Sequence, residues 1–482
     1  MRKIILSLAL SISIVFGIKA QLVSYSIQDS FTKQELRTFL DNSGFGLPIT
    51  PKYDVDVYQI FYKTPYKHID SLITTSGIVA VPKNKDCPSL LAAYGHGTFS
   101  ERNSSASYNA AERPITFLFA GFGGVVTVMP DILGLGAGSG DSAILIHPYV
   151  NTFHNGHTII NSMRAARELA DILSSPLNGE VVLTGYSQGG HTAMAANKLI
   201  QENYAQEFDI MASIPMSGPY DLNKTMVDVM LSSDSFSVPG YLPYLLLGYH
   251  SIYDTLQSEF PNASDIFKSP YDTVLPPLFY SKTNGIGHIN GFCDPIPRQM
   301  IKDSIIQKFE NDLNHPLRFV LNDNDLMGWA PQNTVKIHYC TEDEEVNYLN
   351  GVRADSAWRA NGAPDVEAFN NGALNHFGCV EPSVTATALY LLTNLPTCTD
   401  IFEVGELDFS LYPNPANEVF NIESGESDLL MNIYSLSGKV IMSQQLLSNL
   451  ESIDISHLVS GIYFVELRNN SGEYALKKLV KN

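Results

Sequence analysis

Val181-Val182-Leu183-Thr184-Gly185-Tyr186-Ser187-Gln188-Gly189-Gly190-His191 is an apolar run broken by glycines around one serine. Four β-favouring residues precede Gly185, and a proline-free, helix-compatible run from His191 to Ile200 follows the turn. Strand, sharp turn and helix in that order form a G-x-S-x-G elbow, which lifts a serine hydroxyl clear of a buried sheet. Without these flanks the same letters would describe a glycine-rich turn with an idle serine. With them, Ser187 is a candidate nucleophile.

The neighbouring segments fit a mostly parallel sheet. Residues 54–66 and 72–81 read as two antiparallel partners, and Ser89–Tyr94, Gly124–Pro130 and Phe208–Pro215 read as short continuous apolar strands. Between His157 and Leu173, Met163, Ala166, Leu169 and Ile172 make one helical stripe. Continuous apolar strands alternating with helices indicate an α/β sheet covered on both faces. Residues 21–50 are polar and mixed, with a helix expected over Ser30 to Asn42. From 223 to 330 helical and aromatic stretches run far beyond the length of a simple crossover, so an inserted helical cap is expected there. The sheet resumes at Val335–Cys340 and Val366–Asn370, and a helix over Ser383–Leu392 closes the catalytic unit, taken as 21–396. A linker at 397–409 precedes residues 410–482, whose short alternating runs and turns predict a small antiparallel β-sandwich.

At 482 residues with 44% hydrophobic side chains, the chain is long enough for two or three units with a large core. A net charge of -20 argues against a nucleic-acid partner. Residues 1–20, with Arg2 and Lys3 before an apolar stretch from Ile4 to Ile18, have the layout of a secretory signal peptide, with cleavage expected near Ala20–Gln21. No later run reaches the roughly 18 uninterrupted apolar residues of a membrane helix, so no stable membrane insertion is expected. Five cysteines, Cys87, Cys293, Cys340, Cys379 and Cys398, favour structural bridging over redox chemistry. Their odd number leaves at least one unpaired in a monomer.

A serine hydroxyl needs a base, and the imidazolium so formed needs a carboxylate behind it. After an elbow of this kind the acid and then the histidine follow, each just beyond a later strand. Asp343 stands in the loop after the strand ending at Cys340, with Glu342, Glu344 and Glu345 as competitors and Asp221, after the preceding strand, as a rival. His376 lies in the loop past the last strand. His191 sits on the helix leaving the elbow and reads as structural. His147, His154 and His157 are unevenly spaced for a metal, and neither metal nor cofactor is expected. An oxyanion hole needs two backbone N–H groups. Gln188 supplies one, and Thr98, with Gly97 as the alternative, supplies the other. Asp131, with Gly134 and Gly136, reads as a carboxylate holding loop backbone.

These residues carry a family resemblance. His96-Gly97-Thr98, Pro130-Asp131-Ile132-Leu133-Gly134-Leu135-Gly136, His147-Pro148-Tyr149 and Gly185-Tyr186-Ser187-Gln188-Gly189-Gly190 resemble the secretory-lipase-like esterases of the α/β-hydrolase superfamily, over roughly residues 50–395. The resemblance implies a triad of Ser187, Asp343 and His376. Two departures stand in the acid loop: the family's usual glycine is missing near Cys340 or Thr341, and Asn347 replaces a proline. With Cys340 and Cys379 each about three residues from a triad member, a bridge joining the two loops is expected. The tail resembles the type A C-terminal sorting domain of the type IX secretion system through Tyr412-Pro413-Asn414-Pro415, Ile433-Tyr434-Ser435-Leu436-Ser437-Gly438, Ser460-Gly461-Ile462-Tyr463 and Lys477-Lys478-Leu479-Val480-Lys481. That resemblance implies export through the periplasm to the surface or medium, and removal of the tail there.

The expected activity is therefore hydrolysis of a small-molecule or lipid ester through an acyl-enzyme, with the type IX machinery as partner. A serine peptidase of the same fold is the nearest alternative, and it would need a charged subsite for a peptide terminus. A noncatalytic surface-binding protein is the more distant one.

Overall fold

The computed structural model describes residues 21–45, 49–85, 87–108, 110–395, 407, 409–436, 438–469 and 474–482. The expected signal peptide lies outside these residues, as does the expected linker apart from Leu407 and Phe409.

The first sheet contains β1 (Leu22–Phe31), β2 (Val55–Tyr66), β3 (His68–Pro82), β4 (Ser89–Gly95), β5 (Val126–Pro130), β6 (Leu177–Tyr186), β7 (Asp209–Met216), β8 (Thr334–Tyr339) and β9 (Val366–Asn370). Their order across the sheet is β1-β2-β3-β5-β4-β6-β7-β8-β9. The first three run antiparallel, and β5 is antiparallel to β3. From β5 to β9 every neighbouring pair is parallel.

Strand periodicity divides the core in two. Ile78, Ala80, Leu90, Ala92, Tyr94 and Val182 point to one face, where α1 (Lys33–Asn42), α2 (Arg113–Gly123) and α14 (Val380–Asn394) pack. Val79, Val81, Leu91, Ala93, Val181 and Leu183 point to the other, against α3 (Thr152–Ile172) and α4 (Gln188–Leu199). Both faces being covered explains why these strands read as continuous apolar runs.

Between β7 and β8 lie α5 (Val227–Met230), α6 (Tyr241–Ile252), α7 (Asp254–Glu259), α8 (Ala263–Ile266), α9 (Tyr271–Tyr280), α10 (Ile286–Asn290), α11 (Asp303–Asn311) and α12 (Pro316–Asn324). They share a core of their own around Tyr244, Tyr249, Phe267, Phe279 and Met300. After β8 comes α13 (Leu349–Ala360). The C-terminal region forms two antiparallel sheets. One holds β10 (Phe409–Tyr412), β11 (Val419–Ser424) and β14 (Leu450–Asp454); the other holds β12 (Leu429–Ser435), β13 (Val440–Leu446), β15 (Gly461–Arg468) and β16 (Tyr474–Lys481). Phe420, Ile422, Met431, Ile433 and Val465 fill the space between them.

Several elements depart from the sequence reading. β1 falls in the stretch read as polar and mixed; Val23, Tyr25 and Ile27 do alternate with Ser24, Ser26 and Gln28, but on this edge strand all three are exposed rather than turned to the core. α2 is buried on nearly every side, which removes the amphipathic stripe by which a helix is recognised. α3 begins at Thr152 rather than His157, because the Asn151 side chain caps it by accepting the His154 N–H at 3.0 Å.

Cys340, just past β8, is bridged to Cys379, just before α14, with Cα atoms 5.9 Å apart. Cys293 is a free thiol. The Cys340–Cys379 bridge spans 39 residues of sequence, so closing that loop in the unfolded chain is worth about 4 kcal/mol. Replacing both cysteines by serine should lower stability by about 2–4 kcal/mol in denaturant unfolding under nonreducing conditions, and a reductant should narrow the difference between wild type and variant.

Candidate active site

The elbow is built by backbone contact. Ser187 follows β6 with φ 57 and ψ -120, a conformation costly for any residue with a side chain. Its N–H donates to the Met216 carbonyl at the end of β7, 2.9 Å away. The turn is tight enough that a Cβ on Gly189 would overlap the Gly95 carbonyl, and one on Gly190 would come within 2.8 Å of the Met216 carbonyl oxygen. Gly95 is equally constrained, since a Cβ there would lie 2.8 Å from the Gly189 carbonyl oxygen. Only glycine at these positions lets α4 begin directly beneath Ser187.

The structure brings Asp343 and His376 together. His376 Nδ1 lies 2.8 and 2.9 Å from the two carboxylate oxygens of Asp343. Asp343 Oδ1 also accepts the backbone N–H groups of Glu345 and Val346, at 3.1 and 2.8 Å, so the carboxylate is aimed by its own loop. None of the competitors bonds to Nδ1. Glu344 accepts the His376 backbone N–H at 2.9 Å, and Glu342 is exposed. Asp221 pairs with Arg353 at 3.1 Å and accepts from the Lys224 N–H and the Thr225 hydroxyl, a structural role away from the histidine. Tyr186, adjacent to the serine, donates its hydroxyl to the His376 carbonyl.

Ser187 opens into a pocket lined by Tyr149, Pro219, Leu222, Tyr241, Leu245 and Glu345, among others. Glu345 Oε2 is 3.8 Å from His376 Nε2, so this second carboxylate lines the pocket with Ser187 and also stands beside the imidazole. Burial pushes the His376 imidazole toward neutrality, but the Asp343 hydrogen bond and the charges of Asp343, Glu345 and Glu344 outweigh it and hold its pKa above the ordinary value.

Two donors were expected for an oxyanion. The Gly97 N–H donates to Glu112 Oε1 at 2.8 Å, which leaves Thr98 as the candidate in this loop. Burial raises the Glu112 carboxyl to about 7, against the opposing effects of the Tyr94 hydroxyl, the Gly97 N–H and the His376 charge. The Thr98 hydroxyl lies 3.1 Å from the Tyr149 hydroxyl. Gln188 opens α4, where N–H groups lack intrahelical partners. Its side chain is held by His147, whose Nδ1–H donates to the Leu133 carbonyl at 3.0 Å while its Nε2 accepts from Gln188 Nε2 at 2.6 Å. Burial drives the His147 pKa well down, consistent with a neutral acceptor. His147-Pro148-Tyr149 thus supports both candidate donors.

His147, Tyr149 and Glu112 were missed as parts of the site by reasoning from position, though the first two fall in a motif already quoted for the family. His191 is structural, its Nε2 bonded to the Asn324 carbonyl at 2.9 Å where the cap returns to the sheet. Asp131 accepts from the Ser76 hydroxyl at 2.5 Å and the Ser107 N–H at 2.8 Å, so it ties distant segments rather than its own loop. Among the described residues, no three His, Cys, Asp or Glu side chains are grouped to hold a metal ion, and no helix is long and apolar enough to cross a membrane.

A mostly parallel sheet with an elbow serine, a carboxylate-bound histidine past later strands and a helical insertion over the strand ends defines an α/β-hydrolase of the esterase and lipase type. The secretory lipase family profile matches residues 116–394, more than half of the chain, and the chain belongs to that family. It is a carboxylic ester hydrolase. Residues 410–482 match the secretion system C-terminal sorting domain, which makes it an exported protein of the type IX route, extracellular or on the cell surface. Similar solved structures include a Legionella pneumophila protein described as a hydrolase (24% identity, TM-score 0.69, 78% of this chain and 100% of that one). A ligand-bound esterase LipA from Xanthomonas oryzae is 26% identical, with TM-score 0.66 over 78% of this chain and 97% of that one. Candida antarctica lipase A in its closed state, at 15% identity and TM-score 0.57 over 79% and 84% of the two chains, shares the fold. No curated protein matches the chain.

Gly189→Ala should prevent the elbow from closing. The expected outcome is insoluble or unfolded protein by circular dichroism, whereas Gly287→Ala, where a Cβ meets nothing within 4 Å, should fold normally.

Proposed function

We propose that the chain cleaves carboxylic esters by a serine mechanism with an acyl-enzyme intermediate. Ser187 Oγ attacks the ester carbonyl carbon while its proton passes to His376 Nε2, and Asp343 steadies the imidazolium through Nδ1–H. The carbonyl oxygen takes the negative charge and is held by the backbone N–H groups of Thr98 and Gln188. Collapse breaks the bond to the alcohol, which leaves with the proton from Nε2. Water then repeats the sequence on the acyl-enzyme, giving its proton to His376 and releasing the acid. The observation that carries this reading is the bidentate approach of Asp343 to His376 Nδ1 at 2.8 and 2.9 Å, with Nε2 of the same ring 3.8 Å from Glu345, a residue that lines the pocket together with Ser187.

The pocket supports an acyl substituent. A second cavity, wholly apolar in its lining, shares Leu222, Met226, Met230, Leu242 and Leu245 with the Ser187 pocket and runs on to Phe309, Leu317 and Val320 in the cap. Such a lining favours a hydrocarbon chain by about 0.8 kcal/mol per buried methylene. The Xanthomonas oryzae relative is described as a rice cell wall degrading esterase; at this identity an ester-cleaving activity is what we carry over.

Ser187→Ala should lower kcat/KM for p-nitrophenyl esters by about 10⁴–10⁶ and abolish labelling by a serine-reactive phosphonate, with unchanged circular dichroism. A folded Ser187→Ala protein that retains wild-type activity would sink the mechanism. Leu245→Trp should reduce hydrolysis of long-chain esters at least tenfold more than that of acetate esters; an equal loss for both would remove the cap from acyl binding. Because the base must be neutral and its pKa is raised, activity should fall with decreasing pH through a midpoint above the ordinary imidazole value of 6.5. A pH profile of kcat/KM checks this.

A further inference from the structure

His376 is bracketed by two carboxylates, and the serine mechanism employs only Asp343, at Nδ1. Glu345 is buried, with 5% of its surface exposed, and reaches toward Nε2, the nitrogen on which the Ser187 proton would arrive. At 3.8 Å it stops short of a hydrogen bond. What holds it there is the cap: the Tyr241 hydroxyl on α6 donates to Glu345 Oε2 at 2.6 Å. Tyr241 is itself buried, with its ring 5.9 Å from that of Tyr149. A second tie from the segment before α6 joins the Ser237 hydroxyl to the Glu344 carbonyl at 2.9 Å.

We propose that Glu345 is a positioning residue that couples the seating of the cap helix α6 to the charge state of His376, with Tyr241 as the restraint. The inference rests on His376 being the base of the serine mechanism. With Tyr241 seated, one carboxylate oxygen is occupied, and Nε2 is left to exchange a proton with Ser187 and the departing alcohol. When Tyr241 is withdrawn, the carboxylate is free to close on a protonated Nε2, and the ion pair so formed retains the proton and removes the base. The cap therefore does more than wall the acyl pocket. Its position sets how much neutral imidazole exists at a given pH.

The other groups facing this pair do not provide the same link. Asp343 and Glu344 bond to the Nδ1 side and the backbone of His376. Tyr186, on β6, donates to the His376 carbonyl. Glu112, before α2, acts on His376 through charge while bonded to Tyr94 and Gly97. Tyr149 lies against Tyr241 and bonds to Thr98. Among these contacts, only Tyr241 joins the cap to a charge on the Nε2 side.

The test uses Glu345→Gln, Tyr241→Phe and the double variant in the full chain. Two readouts are followed: the acid limb of kcat/KM for a p-nitrophenyl acetate probe, and the titration midpoint of His376 by NMR of its ring carbon, assigned from its loss in His376→Asn. Glu345→Gln should move both midpoints down by about one pH unit. Tyr241→Phe should move them up, and the double variant should match Glu345→Gln because the restraint has nothing left to restrain. An unchanged His376 midpoint in Glu345→Gln overturns the proposal. So does a Tyr241→Phe effect that persists without Glu345, or one that lowers stability and kcat without moving the midpoint. The NMR readout needs no turnover, so midpoints that move as expected in a protein inactive on every ester would reject the serine mechanism while leaving the electrostatic link standing. Ester hydrolysis lost in Ser187→Ala, together with immobile midpoints, would reject the link alone.

Discussion

The structure depends on one backbone approach, that of the loop ending β4 to the first turn of α4. Gly95 and Gly189 meet where a methyl group on either would collide with the other's carbonyl. Around this contact Ser187 holds a positive φ, a strain of about 1–3 kcal/mol that the surrounding packing offsets. The contact also sets the first N–H of α4 beside the loop that carries Thr98. The turn that presents Ser187 is thereby set by main-chain contacts. Side chains then secure the arrangement: His147 fixes Gln188, Tyr149 meets Thr98, and Glu112 ties down the Gly97 N–H.

The second half of the site is electrostatic. A chain with a net charge of -20 places three successive acidic residues, Asp343, Glu344 and Glu345, around one buried imidazole. Desolvation alone would make that ring a weak base, and the carboxylates reverse the effect. Such a cluster is tolerable because each member has a partner: backbone N–H groups for Asp343, the His376 N–H for Glu344, the Tyr241 hydroxyl for Glu345. The Cys340–Cys379 bridge holds the acid loop and the histidine loop to one spacing, so the geometry does not rest on hydrogen bonds alone.

The legible part of the site consisted of residues whose placement follows from chain order. Ser187 was marked by glycines at fixed offsets, and Asp343 and His376 by lying just past successive strands. Short-range rules reach these because strand ends define where a loop emerges. The residues that were not legible have no strand-end position to single them out. Glu112 reaches Gly97 from the start of α2, a helix with no polar face to betray it. Glu345 was one of several equivalent acids in the sequence, and only its contact with Tyr241, 104 residues away, gives it a place of its own. His147 looked like one of three unevenly spaced histidines until its two nitrogens were seen to have separate partners.

By itself the sequence determined the α/β sheet with its elbow, the helical insertion before β8, the antiparallel tail and the chain order of the triad candidates. Each depends on local periodicity, glycine placement or strand succession, which are written in neighbouring residues. Tertiary structure alone decided that Glu112 takes up the Gly97 N–H, that His147 holds Gln188, and that a cap tyrosine bonds a second carboxylate beside the imidazole. Those outcomes turn on distances of a few ångströms between residues 15 to 104 positions apart in the chain, and only packing of the complete core sets such distances.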